Sequence, residues 1–117
     1  MDYTVEHVGT NRAVVSFSGR LDAGSVPEFK RKLKAIAAER AAYLLIDLAA
    51  VDFIDSSGLG GLVSVFKTVR DQGGTLALVH VAGAVQAALE LTCLDRVFRI
   101  FSDRDSALTY LDGAAVD

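Results

Sequence analysis

Very little in this chain can hold a metal or cross-link two segments. Among 117 residues there is one cysteine, Cys93, and two histidines, His7 and His80. A single cysteine forms no internal disulfide and supplies no Cys-x-x-Cys ligand pair, which excludes a disulfide framework and a zinc ribbon. Within Leu91-Thr92-Cys93-Leu94 it reads as a small buried hydrophobe in a reducing compartment. Tryptophan is absent, and no aromatic platform accompanies the basic residues, so direct nucleic-acid binding is not expected. No apolar run reaches the length of a membrane span. The opening Met1-Asp2-Tyr3-Thr4-Val5-Glu6 is acidic and lacks the apolar segment of a signal peptide. A cytoplasmic protein without a membrane span is the expectation.

What is present is a core. Hydrophobic residues make up 51% of the chain and charged residues 23%, with a net charge of −3, which is the balance of one globular domain. We place that domain at residues 1–112, with 113–117 as a short tail. The one basic cluster, Lys30-Arg31-Lys32 with Lys34, lies on the polar face of a predicted helix and reads as a solvated surface.

Patterning gives the element order. Tyr3–His7 and Ala13–Phe17 alternate apolar and polar residues around a turn-rich Val8–Arg12, which predicts a hairpin. Gly19–Gly24 reads as a loop. Ser25-Val26-Pro27-Glu28 fits a capping box, and Pro27 falls in the first turn, where no helix hydrogen bond is lost. Val26, Phe29, Leu33, Ile36 and Ala37 then form one apolar stripe. Tyr43–Leu48 lacks alternation, as a strand covered on both faces does. Leu59, Leu62, Val63, Phe66 and Val69 recur at helical spacing until Gly73, and Phe66 and Ile46 are expected in the core. Thr75–Val79 is a second buried strand, Val85–Thr92 a short helix, Val97–Phe101 a strand, and Ala107–Leu111 part of a last helix. The order β-β-α-β-α-β-α-β-α predicts an α/β fold: a mixed β-sheet of about five strands with helices packed on it.

Function in such sheets gathers on loops after the carboxyl ends of parallel strands. Asp55-Ser56-Ser57 is one of these, placed where a buried strand turns into a helix. Helix N-termini carry free N–H groups and partial positive charge, which tolerate anions. Plain helix capping accounts for these residues as well as a site does. Three features favour a site: two hydroxyls where one cap needs one; Gly58, Gly60 and Gly61, which weaken the helix and strip its end of side chains; and Val51, Phe53 and Leu59, which set apolar residues around a polar spot.

Enzymatic readings fare poorly. Ile54-Asp55-Ser56-Ser57-Gly58 is not the G-x-S-x-G elbow, and both histidines fall in or at the end of strands. Gly58-Leu59-Gly60 lacks the third glycine of a dinucleotide loop, whose position holds Val63, and no P-loop is present. A phosphoacceptor receiver domain would need an acidic pair after the first strand, where His7-Val8-Gly9 stands, and a late lysine, but none follows Lys67. We expect a non-enzymatic protein with no cofactor.

Asp52-Phe53-Ile54-Asp55-Ser56-Ser57-Gly58-Leu59-Gly60 resembles the signature of bacterial anti-sigma factor antagonists, the STAS-domain family. Gly19-Arg20-Leu21-Asp22 is similar to the family's Gly-x-Leu-Asp loop, with Arg20 where many members carry Glu. Gly73–Leu76 and Leu91–Phe98 fall where the family has similar segments, so the resemblance spans nearly the whole chain. It implies partner switching. Ser56, directly after the aspartate, would be the phosphorylated serine. An anti-sigma factor that is also a serine kinase of ATPase fold would add the phosphate, and a PP2C-type phosphatase would remove it. The unphosphorylated form would bind the anti-sigma factor and free the sigma factor. The partner-binding set would comprise Asp22, Asp55, Ser56, Ser57, Gly58, Leu59 and Gly60, with the Ser57 hydroxyl capping the helix. Two alternatives stay open: an unphosphorylated STAS subunit of a phospholipid-transport ABC complex, and a small-ligand or nucleotide-binding STAS module.

Overall fold

A computed structural model describes residues 2–39 and 42–116. Strands β1 (Asp2–Val8) and β2 (Arg12–Leu21) form the expected antiparallel hairpin, turned by Gly9 at φ +68°. Then follow α1 (Val26–Glu39), β3 (Tyr43–Ile54), α2 (Ser56–Asp71), β4 (Thr75–Val79) and α3 (Gly83–Leu91). A single 3-10 turn at Leu94–Arg96 leads into β5 (Arg99–Phe101) and α4 (Arg104–Val116). The strands lie in the order β1-β2-β3-β4-β5, and every pair after the hairpin is parallel.

The period-two alternation of the strands divides the core between two faces. Ala13, Val15 and Phe17 of β2, Leu44, Ile46 and Leu48 of β3, and Leu76 and Leu78 of β4 face α1, α2 and α3. The helices answer with Phe29, Leu33, Leu62, Val65, Val69, Val85 and Leu89, all buried. On the other face Val14, Leu45, Ala77 and Val79 meet Ala107 and Leu111 of α4, with Leu108 and Tyr110 of the same helix packed beside them. Three helices thus cover one face, and one helix covers part of the other. Polar clips hold α4 in place: Arg104 pairs with Glu6 at 2.6 Å, and an Arg12 Nη donates to the Leu108 carbonyl at 3.2 Å. No described helix is long and apolar enough to cross a membrane.

Several boundaries differ from expectation. Gly19–Leu21 belongs to β2 rather than to a loop, because β3 runs six residues past Leu48 and gives it a partner. The extra length is taken up by two irregularities. Four steps along β2, Ser16 to Arg20, match six along β3, Asp47 to Phe53. At the first irregularity the Ala49 N–H donates to the Asp47 carboxylate at 3.0 Å. Across the second, Val51 and Ile54 both face the core with Asp52 and Phe53 between them, which no period-two reading foresees.

Residues 113–116 continue α4 instead of forming a tail, and Asp117 lies outside the described residues. Cys93 is exposed rather than buried. It takes φ +60° at the stop of α3, where its N–H donates to the Glu90 carbonyl at 3.1 Å and its side chain faces water. Ile46 is buried as expected. Phe66 is half-buried, edge-on to Phe98 with ring centroids 5.3 Å apart at the border of the core.

Candidate site at the start of the second helix

The turn from β3 into α2 is built around one carboxylate and one glycine. Asp55 keeps an extended backbone (φ −114°, ψ −172°), and its Oδ1 accepts the Gly58 N–H at 2.9 Å. That is the N-cap geometry, in which a side-chain oxygen satisfies a free N–H of the first turn. The Asp55 N–H in turn donates to the Leu21 carbonyl at 3.3 Å, tying the helix start to the end of β2. The cap is Asp55, not the Ser57 hydroxyl expected from the sequence. Asp55 is the last extended residue, and only from there does a side chain reach back to the first free N–H groups.

The three glycines do different things. A Cβ on Gly58 would stand 2.2 Å from the Leu21 carbonyl oxygen, so the residue is glycine because backbone presses on backbone. Gly61 sits against Val26, 3.2 Å from where its Cβ would be. Gly60 alone opens onto empty space. Gly58 and Leu59 are buried, the latter only 8% exposed, and Val51 is buried too. These three therefore shape the turn from inside. The surface consists of Ser56, Ser57 and Gly60, with Asp55 partly exposed. Of the apolar residues expected around the polar spot, only Phe53 shows, and it is half-buried.

Asp22 organises the neighbouring loop. Its Oδ1 accepts the N–H groups of Gly24 at 3.1 Å and Ser25 at 3.2 Å, and its carbonyl accepts the Val26 N–H at 2.9 Å. The Ser25 hydroxyl turns back to donate to the Arg20 carbonyl at 2.8 Å instead of closing a capping box with Glu28. Desolvation pushes the Asp22 carboxyl upward, but the Ser25 and Gly24 N–H groups and the Arg20 guanidinium outweigh it, and the pKa lies below the ordinary aspartate value.

Sequence reasoning missed the role of Arg20. Its guanidinium carbon lies 3.8 Å from the centroid of the Phe53 ring, and its Nε is 3.5 Å from an Asp22 carboxylate oxygen. Arg20 and Phe53 are partners in the β2–β3 ladder only because of the second irregularity. A shallow depression of about 580 Å³ opens beside them, where β2 outruns the described end of β1. Ser18, Gly19, Arg20, Asp22, Ser25 and Glu28 are among its lining. His80, by contrast, pairs through Nδ1 with Asp47 at 3.1 Å and is remote in the chain from Ser56.

Comparison with known proteins gives a consistent result. The family model for the STAS domain matches residues 3–107. The anti-sigma-B factor antagonist of Bacillus subtilis is 36% identical over 90 residues, covering 77% of this chain and 82% of that protein. The anti-sigma-F factor antagonist RsfB of Mycobacterium tuberculosis is 30% identical over 105 residues, 90% of this chain and 85% of that one. The crystal structure of an anti-sigma factor antagonist from Mycobacterium paratuberculosis superposes with a TM-score of 0.84 at 30% identity, covering 95% of this chain and 93% of that one.

Proposed function

The chain belongs to the STAS domain family, and from that premise we propose that it is an anti-sigma factor antagonist switched by phosphorylation of Ser56. The reading rests above all on the placement of Ser56: exposed, first in α2, directly after the residue that caps the helix. Because Asp55 supplies the cap bond, the fold does not need the Ser56 hydroxyl for that purpose, and it is free to accept a phosphate. The chain performs no catalysis. An anti-sigma factor that is also a serine kinase of ATPase fold adds the phosphate, and a PP2C-type phosphatase removes it, all within the cytoplasm. Asp22, Asp55, Ser56, Ser57 and Gly60 meet the partner, while Gly58 and Leu59 hold the turn in shape beneath them.

Charge makes the switch work without refolding. A phosphate adds about −1.5 to −2 charges. A helix N-terminus favours an anion by ~0.3–1 kcal/mol, so the modified protein stays folded. Across an interface, a single like-charge contact at ~6 Å with an effective dielectric of ~20 costs roughly 3 kcal/mol. That corresponds to about a hundredfold in affinity.

The test is incubation with candidate kinases and ATP, mass spectrometry to locate the phosphate, and titration of each form with the kinase that reacts. Ser56→Ala takes up no phosphate and binds close to wild type, Ser56→Asp binds more weakly, and the phosphoprotein binds weakest. Phosphate found elsewhere, or equal affinity of all forms, removes the switch.

A further inference from the structure

We propose that Arg20, held flat against Phe53, is the residue by which this protein selects its partner, and that it takes a carboxylate of the anti-sigma factor. The inference rests on the partner-switching reading and names what the partner must carry.

Four observations combine. The Arg20 side chain is 61% exposed, yet it is not free to wander, because its guanidinium stacks 3.8 Å over the Phe53 ring. Its backbone is pinned as well: the Arg20 carbonyl accepts the Ser25 hydroxyl, and the residue is fixed in the β2–β3 ladder opposite Phe53. Only its Nε is turned to Asp22, at 3.5 Å, and among the described residues the two terminal Nη groups have no acceptor, which leaves their N–H donors for another one. Lastly, acidic side chains surround it: Asp2, Asp22 and Glu28 line the same depression, Glu28 with Arg31 3.9 Å away, and Arg20 is the one cation among the described lining residues.

A planar guanidinium already immobilised loses little conformational freedom on binding, and its fork donates two parallel N–H···O bonds to a carboxylate. A partner reaching this end of the sheet meets acidic side chains with the stacked Arg20 guanidinium fixed among them. A surface that is basic throughout places a cation against Arg20. A surface with one carboxylate at that point satisfies both signs. The partner is therefore a basic surface bearing an acidic side chain that docks end-on to Arg20. Arg20 lies beside Phe53, three residues ahead of Ser56, so the contact adjoins the switch and is made or broken with it.

The experiment uses the full chain and the anti-sigma kinase that phosphorylates Ser56 in the assay above. Dissociation constants are measured for wild type, Arg20→Glu, Arg20→Lys and Phe53→Leu, with melting curves to verify folding. Arg20→Glu is expected to weaken binding about a hundredfold, a like-charge contact replacing an opposite one. Arg20→Lys should weaken it roughly tenfold through loss of the two-pronged geometry, and Phe53→Leu by a smaller factor through loss of the stack. Changing the kinase's interfacial carboxylates one at a time to lysine should yield one variant that restores binding to Arg20→Glu while weakening wild type. Folded Arg20→Glu that binds within twofold of wild type, or more tightly, overturns the inference and leaves the Ser56 switch standing. Failure of unmodified wild type to bind any kinase that modifies it overturns both.

Discussion

Two helices, α2 and α3, begin at the same end of the sheet, on the same face, each after a parallel strand. Their starts differ in almost every other respect. Asp55 caps α2 through the Gly58 N–H, and Gly58 brings the first turn against the Leu21 carbonyl. Ala82 precedes α3 with no side-chain cap bond, Gly83 takes φ +57°, and a Cβ there would meet nothing within 4 Å. The α2 start is braced against a second strand, whereas the α3 start stands in the open. Topology therefore makes these two starts equivalent, and local chemistry distinguishes them. Ser56, for which we propose phosphorylation, lies on the braced one.

The largest expected effect sets Gly58 against its counterparts. Gly58→Ala drives a methyl into a backbone carbonyl and should cost about 3 kcal/mol or more, with the turn displaced. Gly60→Ala, where a Cβ meets nothing within 4 Å, should instead stabilise by ~0.5–1 kcal/mol. Denaturant melts of the two variants decide the point, and equal stabilities would mean that the Leu21 contact does not brace the helix. Next come the caps. Asp55→Ala should cost ~0.5–2 kcal/mol, whereas Ala82→Asp should gain up to ~1 kcal/mol by giving α3 the cap it lacks. Ser57→Ala should stay within ~0.5 kcal/mol of wild type, as an exposed residue without the cap bond does.

The smallest effect is one of pH. The folded pKa of Asp22 lies below its unfolded value, so its contribution is present above the unfolded pKa, near 4, and is lost as pH falls through the folded value. Acid should loosen the loop beside α2 before it touches α3, and Gly24 and Ser25 amide exchange should rise ahead of that of Ala84 and Val85. Asp22→Asn should flatten that acid limb. Tyr3 gives the opposite sign at the other extreme. Burial foremost, and Glu28 beside it, raise its pKa to about 12. Its contribution is therefore complete below pH 10 and disappears between pH 10 and 12, which absorbance titration of the phenolate can follow.

How much of this was legible in the sequence depends on the distance over which each feature is decided. Apolar periodicity, a local property, placed all four helices and five strands in order and put Ser56 at the entrance of α2. The N-cap was misassigned to Ser57 because capping depends on which residue is last to stay extended, and Asp, Ser and Ser are all competent caps. Gly58 and Leu59 read as surface for a similar reason: nothing near them in the chain reveals that the Leu21 carbonyl lies 2.2 Å from the missing Cβ. Arg20 and Phe53 meet only through a register set by two extra residues in β3. Strand length, too, exceeds what periodicity marks in β2 and β3, since each borrows its final residues from pairing with the other.

The order of strands across the sheet repeats the order along the chain. Each strand consequently pairs with the next one along the chain, and no pairing has to wait for a more distant segment. Everything that shapes the turn at Ser56 — the end of β2, the Asp22 loop, the end of β3 and the first turns of α2 — falls within residues 19–61. On a ribosome, where chains emerge amino end first, the corner around Ser56 is complete in sequence before β4 has been made. The later elements β4, α3, β5 and α4 then act as a lagging buttress, closing against a corner whose residues have already been synthesised.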